Sequence, residues 1–112
     1  MKSILVAPML FLATPTLGCL HTWGYLNWFS NSGYTFVDVH VDDNGSRVCD
    51  SDWGWRIDND GHPSLTCLDG YIYATNGETS WYANNGGGSF TIDNVSWVFE
   101  GYSWHWDQTL FC

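Results

Sequence analysis

Positive charge is almost missing from this chain. Three residues are Lys or Arg against twelve Asp or Glu, and the one lysine is Lys2. Nucleic-acid and anionic-membrane binders need a basic face, and Arg47 and Arg56 alone cannot build one. Neither nucleic acid nor a membrane is therefore an expected partner. The acidity suits solubility and a neutral or cationic partner. Helical periodicity is missing too. No stretch of ten or more residues spaces its apolar side chains at three and four, which argues against a helical bundle or an alternating α/β fold. Long hydrophobic runs are confined to the start, where the ten residues Ile4 to Ala13 are too few to span a bilayer as a helix.

That opening run has another use. Lys2 supplies a positive end, Pro15 breaks the apolar run, and Thr16 and Gly18 place small residues at −3 and −1 of a cut after Gly18. Residues 1–18 read as a secretory signal peptide, and residues 19–112 as a single secreted domain. A buried N-terminal strand is the blander alternative. A domain this small buries a limited core. Cys19, Cys49, Cys67 and Cys112 form an even set within it, and an oxidising compartment would pair them. Four cysteines allow three pairings. The expected one is Cys49–Cys67, tying two strands that follow hairpins, with Cys19–Cys112 closing the termini. The longer loop would contribute roughly 4–5 kcal/mol in the chain-entropy model.

Turn signals punctuate the rest: Asn31-Ser32-Gly33, Asn44-Gly45, Asp60-Gly61, Asp69-Gly70, Asn76-Gly77 and Asn84 through Gly88. Asn and Gly tolerate the positive φ of tight hairpins. Between the turns lie short runs rich in Val, Ile, Thr, Tyr, Phe and Trp, which suit a pleated, half-buried surface. In residues 34–41, Val37, Val39 and Val41 alternate with Asp38 and His40; in 52–58, Trp53, Trp55 and Ile57 alternate with Gly54 and Arg56. Further strands are expected at 64–68, 71–75, 79–83, 89–93, 95–100 and 102–107. Many short strands with regular turns predict an all-β fold, a small antiparallel β-sandwich or partly open barrel stapled by two disulfides.

Two stretches resemble each other: VDDNGSRVC at 41–49 and IDNDGHPSLTC at 57–67. Calcium loops space their carboxylates and end in a glutamate. Here Asp, Asn and Gly are contiguous and no glutamate follows, which is the composition of a tight turn. The distance to the following cysteine differs between the two, so they read as separate hairpins rather than a duplication. The histidines at 21, 40, 62 and 105 have no metal-ligand spacing. No metal and no cofactor is expected, although a nonlocal zinc site stays open.

No catalytic residue can be assigned. The side-chain types of a guanyl-type ribonuclease are present in Glu78, Glu100, Arg47, Arg56, His62 and His105, but with no motif to join them. Tryptophan is the informative excess, with eight in the chain. Each W-x-W pair, Trp53/Trp55 and Trp104/Trp106, puts both rings on one face of a strand. Ile57 continues the face of Trp53 and Trp55, so the core is their expected place. For Trp104 and Trp106, core and surface are balanced. A small domain cannot readily hide eight indoles, and exposed ones would form a patch for a sugar or a protein. All four are ligand-binding candidates. Asn44 and Asn94 head N-x-S sequons and are candidate glycosylation sites.

The layout resembles the small secreted cysteine-containing proteins of filamentous fungi, many of them candidate effectors acting on a plant host. What carries the resemblance is the short leader, the even cysteine set ending at Cys112, and the strands rich in Trp, Tyr, Gly and Asn. The resemblance implies a disulfide-stapled β-sandwich and no shared active site. The expected function is a secreted, non-enzymatic, effector-like protein that binds an extracellular protein partner on a host or cell surface. A small carbohydrate-binding module using exposed Trp or Tyr is the first alternative, and a ribonuclease-like hydrolase the second.

Overall fold

The computed structural model describes residues 19–94, 96–99 and 103–112. The expected signal peptide, Glu100 and Tyr102 lie outside the described residues. Nine strands follow one another: β1 (Leu20–Phe29), β2 (Gly33–Asp43), β3 (Ser46–Ile57), β4 (Pro63–Cys67), β5 (Ile72–Thr75), β6 (Thr79–Ala83), β7 (Ser89–Asp93), β8 (Ser96–Phe99) and β9 (Ser103–Leu110). They form one antiparallel sheet in the order β7-β6-β5-β4-β3-β2-β1-β9-β8. β1 to β7 are a plain meander. The chain then returns so that β9 pairs with β1, leaving β7 and β8 as free edges. The expected all-β antiparallel class holds, and the sheet is not closed into a barrel.

Contacts between strands far apart in that order show that the sheet curls over itself. Gln108 Nε2 on β9 donates to Asn94 Oδ1 beyond β7 at 2.8 Å. Tyr82 Oη on β6 donates to Asp43 Oδ2 at the end of β2, 2.5 Å away. Phe90 meets Phe111 at 4.9 Å between ring centroids. The concave side holds the core: Leu20, Leu26, Val39, Val41, Val48, Leu65, Tyr73, Tyr82, Ile92 and Trp106. A polar seam runs through it, in which Tyr73 Oη lies 2.7 Å from Ser80 Oγ. Burial pushes the Tyr73 phenol up to about 12, so it stays a neutral hydrogen-bonding group.

Both disulfides form as expected, Cys19–Cys112 and Cys49–Cys67. Cys49 and Cys67 face each other across β3 and β4. Two disulfides in so small an all-β domain suit an oxidising, extracellular setting.

Candidate binding surface

β3 is the strand at which the molecule changes character. Its pairing with β2 runs only from Ser46 to Asp50. On the other side its register with β4 jumps from Asp50↔Thr66 to Trp55↔Leu65. Residues 51–54 therefore have no partner on β4 and bulge outward, a device that re-aims side chains. Gly54 sits at φ +123°, in the region that favours glycine.

Asp50 holds the bulge. Its buried carboxylate accepts the Asp52 amide at 2.8 Å and Arg47 Nη1 at 2.5 Å, and it is 3.0 Å from His40 Nδ1. Burial alone would push the Asp50 carboxyl up. The hydrogen bonds from Asp52, His40 and Arg47 outweigh that and hold it below the usual carboxylate range. Ser51 Oγ accepts the Val39 amide at 2.9 Å, where β2 and β3 part.

Beyond Asp50 the aromatic side chains are bare. Trp53 is 45% exposed, Trp55 37% and Ile57 48%. This corrects the expectation that all three fill the core. Trp53 lies within the bulge and Trp55 and Ile57 beyond it, all past the last β2 pairing at Asp50, so no β2 strand covers them. The second correction concerns β9. Trp106 is fully buried and Trp104 half-buried against the core, so Trp106 has no surface to offer a ligand. Gly24 of β1 pairs with Trp106, and a Cβ there would meet Asp38 O at 2.5 Å and Val39 Cα at 2.8 Å, so β2 approaches too closely for any side chain.

Two clefts adjoin the exposed flank. One of about 610 Å³ is walled by Trp55, Arg56, Ser64, Thr66, Tyr71 and Ile72. The other, of about 470 Å³, is walled by Asp58, Asp60, His62, Ile72, Ala74 and Trp81. Ile72 is common to both and 60% exposed. In the second cleft His62 stacks on Trp81 at 4.7 Å with the rings 8° apart.

The two similar acidic stretches are turns. Asn44 and Gly45 both take positive φ, 54° and 79°, the pair that a type I′ hairpin demands. Asp58 Oδ1 accepts the amides of Asp60 and His62 at 2.9 and 3.0 Å, an Asx-type turn. One cluster among the described residues, His40, Asp50 and Asp52, brings possible metal ligands within 4.8 Å. Arg47 and the Asp52 amide already occupy the Asp50 oxygens, so a cation there would displace a guanidinium.

The opposite, convex side of β9, β1 and β2 carries a second aromatic and charged group that sequence reading did not single out. His21 stacks on Trp23 at 4.2 Å, and Arg47 Cζ lies 4.9 Å from the Trp23 ring centre. His21 Nε2 meets Asp107 Oδ1 at 2.7 Å, and His40 Nε2 meets Asp38 Oδ1 at 2.8 Å. Arg47 also bonds Asp42. The group holds four carboxylates, Asp38, Asp42, Asp50 and Asp107, to one guanidinium that Asp42 and Asp50 already pair, a balance that repels a phosphodiester. The remaining ribonuclease-type groups are scattered. Arg56 and His62 line different clefts, His105 lies against Tyr25, and Glu78 is exposed in the β5–β6 turn. Of the sequon residues, Asn44 is at the exposed β2–β3 tip and Asn94 is hydrogen-bonded into the polar seam. No family model, curated protein or solved structure matches the chain.

Proposed function

We propose that this is a secreted, non-enzymatic protein that binds a protein partner on a cell surface through the flank formed by β3 and the β4–β5 segment. The observation that carries the reading is the distribution of bare apolar side chains. Of the seven large hydrophobic residues exposed among the described residues, five fall between Trp53 and Ile72: Trp53, Trp55, Ile57, Leu68 and Ile72. Apolar side chains concentrated on one flank mark interaction sites. Trp is the residue type most enriched among interface hot spots. Ile57, Leu68 and Ile72 offer a protein partner apolar area that a sugar ring uses poorly. Asp52, Asp58, Asp60 and Asp69 come from the same stretch of chain and would give the flank an acidic rim, which selects a partner with a basic one. The layout resemblance to fungal effector candidates makes a plant cell the first surface to try.

The carbohydrate reading has one observation in its favour. The second cleft combines a stacked indole with the carboxylates of Asp58 and Asp60, groups that can hold a hydroxyl-rich ring. Labelled protein added to intact plant protoplasts and to isolated wall glycans separates the two. The protein-partner reading expects binding to protoplasts that brief protease shaving abolishes and Trp53→Ala/Trp55→Ala weakens. Retention on wall glycans, lost on Trp81→Ala, would replace it with the carbohydrate reading.

A further inference from the structure

We propose that Asn44 is an N-glycosylation site and that Asn94 is closed to the same modification. As sequence the two are equivalent, Asn44-Gly45-Ser46 and Asn94-Val95-Ser96. The fold separates them.

Asn44 is the first residue of a two-residue hairpin tip, exposed together with Gly45 and Ser46. Its backbone amide donates to Cys19 O at 3.0 Å, so the disulfide-tied terminus fixes the loop. No hydrogen bond among the described residues engages its side chain. The left-handed backbone, φ 54°, suits asparagine at a hairpin tip. A glycan on Nδ2 there meets only solvent.

Asn94 is placed oppositely. Its Nδ2, the atom that would carry the sugar, donates to Gly77 O at 3.0 Å and to Ser80 Oγ at 2.9 Å. Its Oδ1 accepts from Gln108 Nε2 at 2.8 Å. These bonds tie the β6–β7 end of the sheet to β9. A sugar on Nδ2 replaces one of its two N–H donors, so at least one of these contacts is lost and the sugar must sit inside the seam; a chain glycosylated at Asn94 could not close its core. The folded protein therefore carries none there.

The transfer balances with one co-reactant, a lipid-diphosphate-linked oligosaccharide. The Asn44 amide nitrogen bonds to the anomeric carbon, the bond from that carbon to the diphosphate oxygen breaks, the lipid diphosphate leaves, and one amide proton is lost. The modification lies at the opposite end of β3 from Trp53, Trp55 and Ile57. Asn44 precedes the start of β3, and the Asp58–His62 turn follows its end. Asp50 and Trp55 sit opposite neighbouring residues of β4, so the bulge adds little length, and at about 3.3 Å per paired residue the two turns lie roughly 20–25 Å apart.

The inference rests on the extracellular reading, and one experiment distinguishes their failures. The full chain with its own leader is expressed in a yeast secretory host, and protein from the medium is treated, denatured, with peptide N-glycosidase in heavy-oxygen water. We expect a single glycan whose removal labels residue 44. Ser46→Ala should abolish it without touching Asn44, and Ser96→Ala should leave it unchanged. Secreted chain without a glycan at Asn44, or label at residue 94, overturns the proposal while secretion stands. Chain retained in the cells with its leader uncleaved and no glycan overturns the extracellular reading, and the proposal with it.

Discussion

The two W-x-W pairs have the same local sequence pattern and opposite fates. Trp104 and Trp106 lie on β9, which is paired on both sides, by β1 and β8. Trp53 and Trp55 lie on the half of β3 that β2 has left. On β9 the rings pack into or against the core, with Gly77 lying directly against the Trp104 ring. On β3 a four-residue bulge, braced by Asp50, interrupts the strand between Asp50 and Trp55, and both rings stay partly exposed. Whether an aromatic side chain serves stability or recognition is decided here by the strand's neighbours, not by the side chain.

The convex side of β1 and β2 makes the same point about charge. Trp23 there is covered by His21 and Arg47, and His21 and His40 are each matched to a carboxylate. That side is internally satisfied. The β3 flank keeps its rings and the Arg56 guanidinium at the surface.

This contrast can be broken experimentally. The largest effect is expected from Trp106→Ala, which empties a fully buried indole site and should cost about 3–5 kcal/mol of stability in denaturant unfolding. Trp53→Ala and Trp55→Ala remove rings that are only partly buried and should each cost about 1–2 kcal/mol of stability, yet weaken partner binding by about 2 kcal/mol, roughly thirtyfold, in a cell-surface titration. Equal destabilisation by Trp53→Ala and Trp106→Ala would erase the distinction between the pairs. Gly54→Ala tests the bulge itself. A side chain at φ +123° is strained and would meet Thr66 Oγ1 at 3.0 Å, so a loss of about 1–2 kcal/mol is expected. A neutral result would mean that the bulge is not held in this shape.

The smallest effect concerns acid. Asp50 is held below the usual carboxylate range in the folded state. Its contribution is therefore fully present above the unfolded value near ~3.9, and it is lost as pH falls through the lower folded value. Melting temperature should fall below about pH 4, and Asp50→Asn should flatten that acid limb. An unchanged limb in the variant would remove Asp50 as the brace.

Much of the fold was legible in the sequence. Alternation at Val37, Val39 and Val41 gave β2, with Val39 and Val41 fully buried. The Asn-Gly and Asp-Gly pairs located the turns, and the expected disulfides form. Two features were hidden. β1 escaped notice because its buried positions are Leu20, Thr22, Gly24 and Leu26, while Trp23 and Tyr25 point the other way. Its inner face is small and partly polar, so hydropathy does not alternate as it does in β2. The bulge in β3 was hidden because register is set by β4 as well as by β3. Nothing in Ser51-Asp52-Trp53-Gly54 announces four residues without a β4 partner, although Gly54 within a strand is the kind of signal that marks a bulge. The Asp50, His40 and Arg47 brace was equally illegible, since it joins residues from two strands.

The most direct test of the account is oxidative footprinting of the tryptophans, read by mass spectrometry on free protein and on protein bound to intact cells. The account predicts that Trp53 and Trp55 oxidise readily in the free protein and are protected on binding, while Trp106 stays unreactive in both. Protection of Trp23, with Trp53 and Trp55 equally reactive in both states, would move the binding surface to the convex side of β1 and contradict it.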